Sequence, residues 1–123
     1  MTTSINPVAF AQLWQGLYNH AVERMSEECY AADCEVSAMG AAVFHGRDAL
    51  AKVEQTVLRA APTRWMRLDA VHGDAQVLVV EATLLESPAG GTWEVPFCAV
   101  LTLKNGQIVR DHTYADWSKW PGL

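Results

Sequence analysis

The chain has 123 residues, half of them apolar, and a formal net charge of −5. That length suits one domain, residues 1–123, with a real core, and is too short for two. The acidic balance argues against a nucleic-acid partner, whose phosphates demand a basic face, and no apolar run reaches the length of a membrane span.

The first residues, Met-Thr-Thr-Ser-Ile-Asn-Pro, carry neither the positive charge nor the apolar run of a secretory signal. Asn6-Pro7 then starts a helix: Asn caps, and Pro at the first helical position loses nothing by lacking an N–H. Phe10, Leu13, Trp14, Leu17 and Ala21 recur at helical spacing. Asn19-His20 is expected to interrupt this helix, and a second one runs from Ala21 to Cys29, near Tyr30. A short strand over Cys34–Ser37 and a smaller one at Val43-Phe44 follow. Asp48 is placed to cap a helix from Ala49 to Ala60, with Leu50, Val53 and Val57 inward and Pro62 stopping it.

Beyond Thr63 the pattern turns to strands: Arg64–Val71, Gln76–Glu86, and two alternating runs joined by Asn105-Gly106. That dipeptide tolerates the positive φ angles of a tight type I′ hairpin. Alternation puts Trp93, Val95, Phe97, Ala99 and Leu101 on one face of the first run. On the second run Asp111 and Thr113 share a face, while Arg110, His112 and Tyr114 share the other. Helices followed by a meander of long strands mean an α+β fold, with helices on one face of a curved antiparallel sheet. The tail, Ser118–Leu123, is expected to cover one end of the sheet or a neighbouring subunit.

Three segments in series carry a resemblance: Tyr30-Ala31-Ala32-Asp33 leading into Val36, Phe44-His45-Gly46-Arg47-Asp48-Ala49-Leu50, and VPFCAVLTLKNGQIV followed by Tyr114-Ala115-Asp116. Together they resemble the SnoaL-like polyketide cyclases of the NTF2-like, or cone-fold, superfamily, alongside the ketosteroid isomerases and limonene-epoxide hydrolases. The resemblance implies a cavity between the concave sheet face and the helices. It does not fix the reaction, because this superfamily hosts many.

Carried over position by position, the superfamily's catalytic groups are largely replaced. Where the isomerases have a general-base aspartate and the hydrolases a water-orienting asparagine, this chain has Ala38; the hydrolases' tyrosine falls on Val36. The acid/base position of the last strand is Thr113, whose hydroxyl does not titrate near neutral pH. Asp111, on the same face, is the nearest carboxylate that could substitute, though a strand residue near a hairpin is commonly exposed. Glu81 aligns with another hydrolase aspartate, and Val79 with its arginine, if the Pro-Gly loop differs by one residue. A one-residue slip reverses every face: either Glu81 and Thr83 line the pocket, or Val80, Ala82 and Leu84 face the core and leave Glu81 solvated. Alternation favours the latter.

Trp14, Tyr18, Trp65, Trp93 and Phe97 are the aromatic candidates for pocket walls, with Val95, Val36 and Ala38 beside them. Trp14 lies close to where the isomerases have a carbonyl-polarising tyrosine. Arg47 reads as a structural ion-pairing residue at its turn. His20, His45, His72 and His112 are scattered without ligand spacing, so no metal or other cofactor is implied. Cys29, Cys34 and Cys98 suggest neither a disulfide framework nor a zinc knuckle, and a reducing cytoplasm is expected.

Three functions follow. The first is a cofactor-free cyclase, isomerase or hydratase acting on a small hydrophobic molecule, with Glu81 or Asp111 moving a proton and Thr113 or an aromatic donor binding the oxyanion. The second is a binding module without catalysis. The third is an interaction domain, a homodimer through the outer sheet face at Val100, His112 and Tyr114.

Overall fold

The computed structural model describes Asn6–Leu123; the stretch read against a secretory signal lies, as far as Ile5, outside the described residues. Helix α1 spans Pro7–His20, and the Asn6 side chain accepts a hydrogen bond from the Ala9 N–H at 3.1 Å. Phe10, Ala11, Trp14, Leu17 and Tyr18 form its buried stripe. The break falls one residue beyond Asn19-His20, at Ala21, whose φ of −158° leaves the helical region before α2, Val22–Cys29. Helix α3, Arg47–Ala60, starts earlier than Asp48 suggested. Gly46, at φ 87°, takes the cap position and gives its N–H to the Cys34 carbonyl, so no side chain caps. Asp48 sits in the first turn instead, where a negative charge still favours the helix dipole.

Six strands follow in the order β2-β1-β6-β5-β4-β3: β1 Tyr30–Ala38, β2 Ala42–His45, β3 Trp65–Gly73, β4 Val77–Ser87, β5 Gly90–Lys104 and β6 Gln107–Ala115. All neighbours are antiparallel except β1 and β6. Strand β1 begins four residues before the expected Cys34 because Tyr30 pairs with Ile108. Between Lys104 and its partner Gln107, Asn105 and Gly106 hold φ values of 52° and 78°, as a type I′ turn requires.

The inner sheet face is apolar. Leu78, Val80, Ala82 and Leu84 of β4 pair with Leu101, Ala99, Phe97 and Val95 of β5, and all eight are buried. A bulge then decides the fate of β6. Leu103 pairs with Ile108 but Thr102 pairs with Arg110, leaving Val109 as an extra residue. Without it, continuous pairing would set Arg110 opposite the inward Leu101. With it, Asp111 takes that place and points inward. Bulges re-aim side chains in this way beside functional sites.

Candidate functional site

A cavity of about 70 Å³ lies between the inner sheet face and the helices. From the sequence candidates it gathers Trp14 and Tyr18 of α1, Val36 and Ala38 of β1, Phe97 of β5, and Asp111 and Thr113 of β6. The tail closes one side of it. Trp120 packs edge-on against Phe97 at 5.2 Å, Trp117 lies 5.1 Å from Trp120 and donates its indole N–H to the Met39 carbonyl, and Leu123 reaches the cavity wall.

Four candidates lie elsewhere. Glu81 is on the outer face, more than half exposed, with Oε2 2.7 Å from His72 Nε2. The β4–β5 register sets Val80 and Ala82 inward and so turns Glu81 out. Trp65 alternates with the inward Met66 and stacks edge-on against His20. Trp93 edges a surface groove with Pro62 and Pro121. Val95 faces inward but is packed into the core rather than lining the cavity. Arg47 forms no ion pair among the described residues, and its Nε is shielded without a partner.

Asp111 is 4% exposed, against the expectation of a solvated strand residue. Its Oδ2 accepts the Tyr30 hydroxyl proton at 2.7 Å and its Oδ1 the Thr113 hydroxyl proton at 2.6 Å. The Trp14 indole N–H in turn donates to the Tyr30 oxygen at 3.2 Å. Burial pushes the Asp111 carboxyl above its usual range, while the Thr113 and Tyr30 hydrogen bonds pull it back. Trp14, its N–H already engaged, has no donor left for a guest.

Sequence reasoning missed three residues here. Tyr30 is fully enclosed, and burial and the Asp111 charge hold its hydroxyl well above the ordinary range. Glu54 of α3 is partly exposed as a residue, yet its Oε2 is shut off from solvent and has no partner. Burial raises its carboxyl to about 7; Asp111 adds to the rise and the Arg64 guanidinium opposes it. Arg64 is buried, donates from Nη2 to the Tyr18 carbonyl at 3.2 Å, and lies 4.2 Å over the Tyr18 ring. The Tyr18 hydroxyl is likewise shielded and unpartnered, and burial keeps it protonated. Glu54 did leave a trace in the sequence: it stands four residues after Leu50 and three before Val57, on the apolar stripe.

Such an arrangement supplies an oriented carboxyl at an aromatic-walled space with a free phenol beside it. Among the described residues no group of three His, Cys, Asp or Glu could hold a metal ion, and no helix is long and apolar enough to cross a membrane. Replacing Tyr30 with Phe keeps the packing but leaves Asp111 with one donor and the Trp14 N–H with no acceptor. It is expected to cost about 2 kcal/mol in a urea melt; a cost near zero would mean that the hydrogen-bond chain contributes nothing.

None of the curated proteins matches this sequence. Solved structures do. A protein named for the SnoaL-like polyketide cyclases from Jannaschia sp. CCS1 superimposes with a TM-score of 0.77 at 14% identity, over 91% of this chain and 86% of that one. An NTF2-like protein from Cytophaga hutchinsonii gives 0.68 at 18% identity, over 89% and 95%. An LEH-like epoxide hydrolase from M. tuberculosis gives 0.67 at 15% identity, over 93% and 85%. At these identities the likeness establishes the α+β, NTF2-like fold. A sequence model of the SnoaL-like domain matches residues 9–111, the greater part of the chain. The chain therefore belongs to the SnoaL-like domain family.

Proposed function

We propose that the cavity binds a small, largely apolar molecule and that Asp111 moves a proton on it without a cofactor, as a cyclase, isomerase or hydratase would. The observation that carries this is a buried carboxyl, oriented through both oxygens, at an apolar cavity. Each oxygen keeps a second lone pair. On a β,γ-unsaturated carbonyl compound the Asp111 carboxylate takes the proton from the α carbon, giving a dienolate and a neutral carboxyl; the carboxyl returns the proton at the γ carbon as the double bond moves into conjugation. The oxyanion needs a donor. Thr113 has already given its proton to Asp111 and Trp14 its N–H to Tyr30, so the role passes to the unpartnered Tyr18 hydroxyl.

Guest size is bounded. A cavity of about 150 Å³ holds benzene, so about 70 Å³ suits three or four non-hydrogen atoms. Larger guests extend through the open side of the pocket toward solvent. One observation favours binding without catalysis: both Asp111 oxygens are already hydrogen-bonded. Thermal-shift screening against small ketones, lactones, epoxides, steroids and polyketide fragments, followed by turnover assays on whatever stabilises, separates the readings. Stabilisation without turnover selects the binding module, and no stabilisation by any of these compounds rejects both for neutral guests.

The outer sheet face, where Val100 and His112 are partly exposed and Tyr114 is exposed, is the surface through which we expect two copies to pair. The free Cys29, Cys34 and Cys98 suit a reducing cytoplasm.

A further inference from the structure

Two carboxyls reach the cavity, Asp111 from the sheet and Glu54 from the helical wall. One buried cation stands near them, Arg64; its Nη2 donates to the Tyr18 carbonyl, its guanidinium lies over the Tyr18 ring, and its Nε has no partner. No carboxylate lies at ion-pairing distance from it among the described residues. With both carboxyls ionised, the balance of these three groups is one negative charge in excess. The other titratable groups acting with Glu54 are Tyr18 of α1 and Tyr30 of β1, both held neutral by burial. Around the carboxyls stand the rings of Trp14, Tyr18, Phe44, Phe97 and Trp120.

We propose that the guest of this cavity is a small alkylammonium compound, whose alkyl surface packs on the aromatic walls and whose charge is met by the unpartnered Glu54 carboxylate. This rests on the reading that the cavity takes a small guest, and not on catalysis. A shielded carboxylate oxygen without a partner, as Glu54 Oε2 is, is costly when ionised, and a monocation removes that cost. Aromatic faces attract the same charge, most strongly where water is excluded. An anionic guest would add to the excess charge. A neutral guest leaves Glu54 to be satisfied by a proton instead.

Proton and ammonium therefore compete for one carboxyl. With Glu54 raised to about 7, its ionised fraction grows about tenfold between pH 6 and pH 8, and apparent affinity for a cation that needs it grows by the same factor. The test is calorimetric titration of the full chain with trimethylammonium chloride and with acetone, a neutral carbonyl probe of similar size, at both pH values and constant ionic strength. Trimethylammonium is expected to bind about tenfold tighter at pH 8. Glu54→Gln should weaken that binding at least tenfold and flatten its pH dependence, while Glu81→Gln, outside the cavity, should change neither. Equal trimethylammonium affinity at the two pH values, or affinity indifferent to Glu54→Gln, overturns the proposal. Binding of acetone without trimethylammonium also overturns it but leaves the cavity reading standing; binding of neither rejects both for guests of this size. Circular dichroism establishes that the variant is folded, and the wild-type comparison at two pH values decides the matter alone if it is not.

Discussion

Replacing Asp111 with asparagine is expected to lower turnover of an accepted carbonyl substrate by at least about a hundredfold, the scale of positioned acid/base catalysis. The amide keeps the shape and still accepts a hydrogen bond from Tyr30 through its oxygen, and its NH₂ can donate to the Thr113 oxygen, but it takes up no proton. The loss should therefore fall on kcat, with KM moving by no more than a few-fold, since an interaction made chiefly in the transition state has been removed. Thr113→Val provides a graded companion. It deletes one of the two donors that hold the Asp111 carboxyl in place, and a smaller loss, on the order of tenfold, is expected. Measuring both constants decides the point. An Asp111→Asn variant that turns over at the wild-type rate would show that the buried carboxyl is structural.

The Glu54→Gln variant should change how stability depends on pH. The folded-state value of Glu54 is raised, from 4.5 to about 7. Its contribution is therefore fully present below the unfolded value, and it is lost as pH rises through 7. Across that interval the wild type is expected to lose about 3 kcal/mol from this group alone, since raising a carboxyl by one pH unit is worth about 1.4 kcal/mol. Asp111 is also raised and acts with the same sign from 3.8 upward. Asp69, Asp74, Glu86 and Asp116 are lowered by hydrogen bonds, so their stabilisation fails only on the acid side. Urea melts of both proteins at pH 5 and pH 8 isolate the Glu54 contribution together with its coupling to Asp111, because the remaining groups are common to the pair. The wild type should weaken across this interval more steeply than the variant. Identical slopes would place the Glu54 carboxyl in water.

Each element that local physics specifies was legible in the chain. Asn6-Pro7 starts α1 because a side-chain acceptor and a missing N–H suit a helix end. Asn105-Gly106 turns β5 into β6 because both residues tolerate positive φ. The alternation of Val95, Phe97, Ala99 and Leu101 predicted the buried face of β5. The site was less legible. Alternation on β4 favoured a solvated Glu81 without excluding the pocket face, and pairing with β5 set it outward against His72. Trp65 and Trp93 were candidates on residue type, and register carried both away from the cavity.

Asp111 and Glu54 show where that boundary falls. Helix caps, turns and strand periods depend on neighbours within a few residues, so the order of letters is enough for them. Asp111 points inward because one extra residue, Val109, shifts β6 against β5, and its carboxyl is held by Tyr30, 81 positions earlier. Glu54 occupies an ordinary place on an amphipathic helix until α3 lies against the sheet and brings its carboxyl near Asp111 and Arg64. Whether a carboxyl is a solvated charge or a proton carrier depends on the water around it. Only the packing of distant segments removes that water.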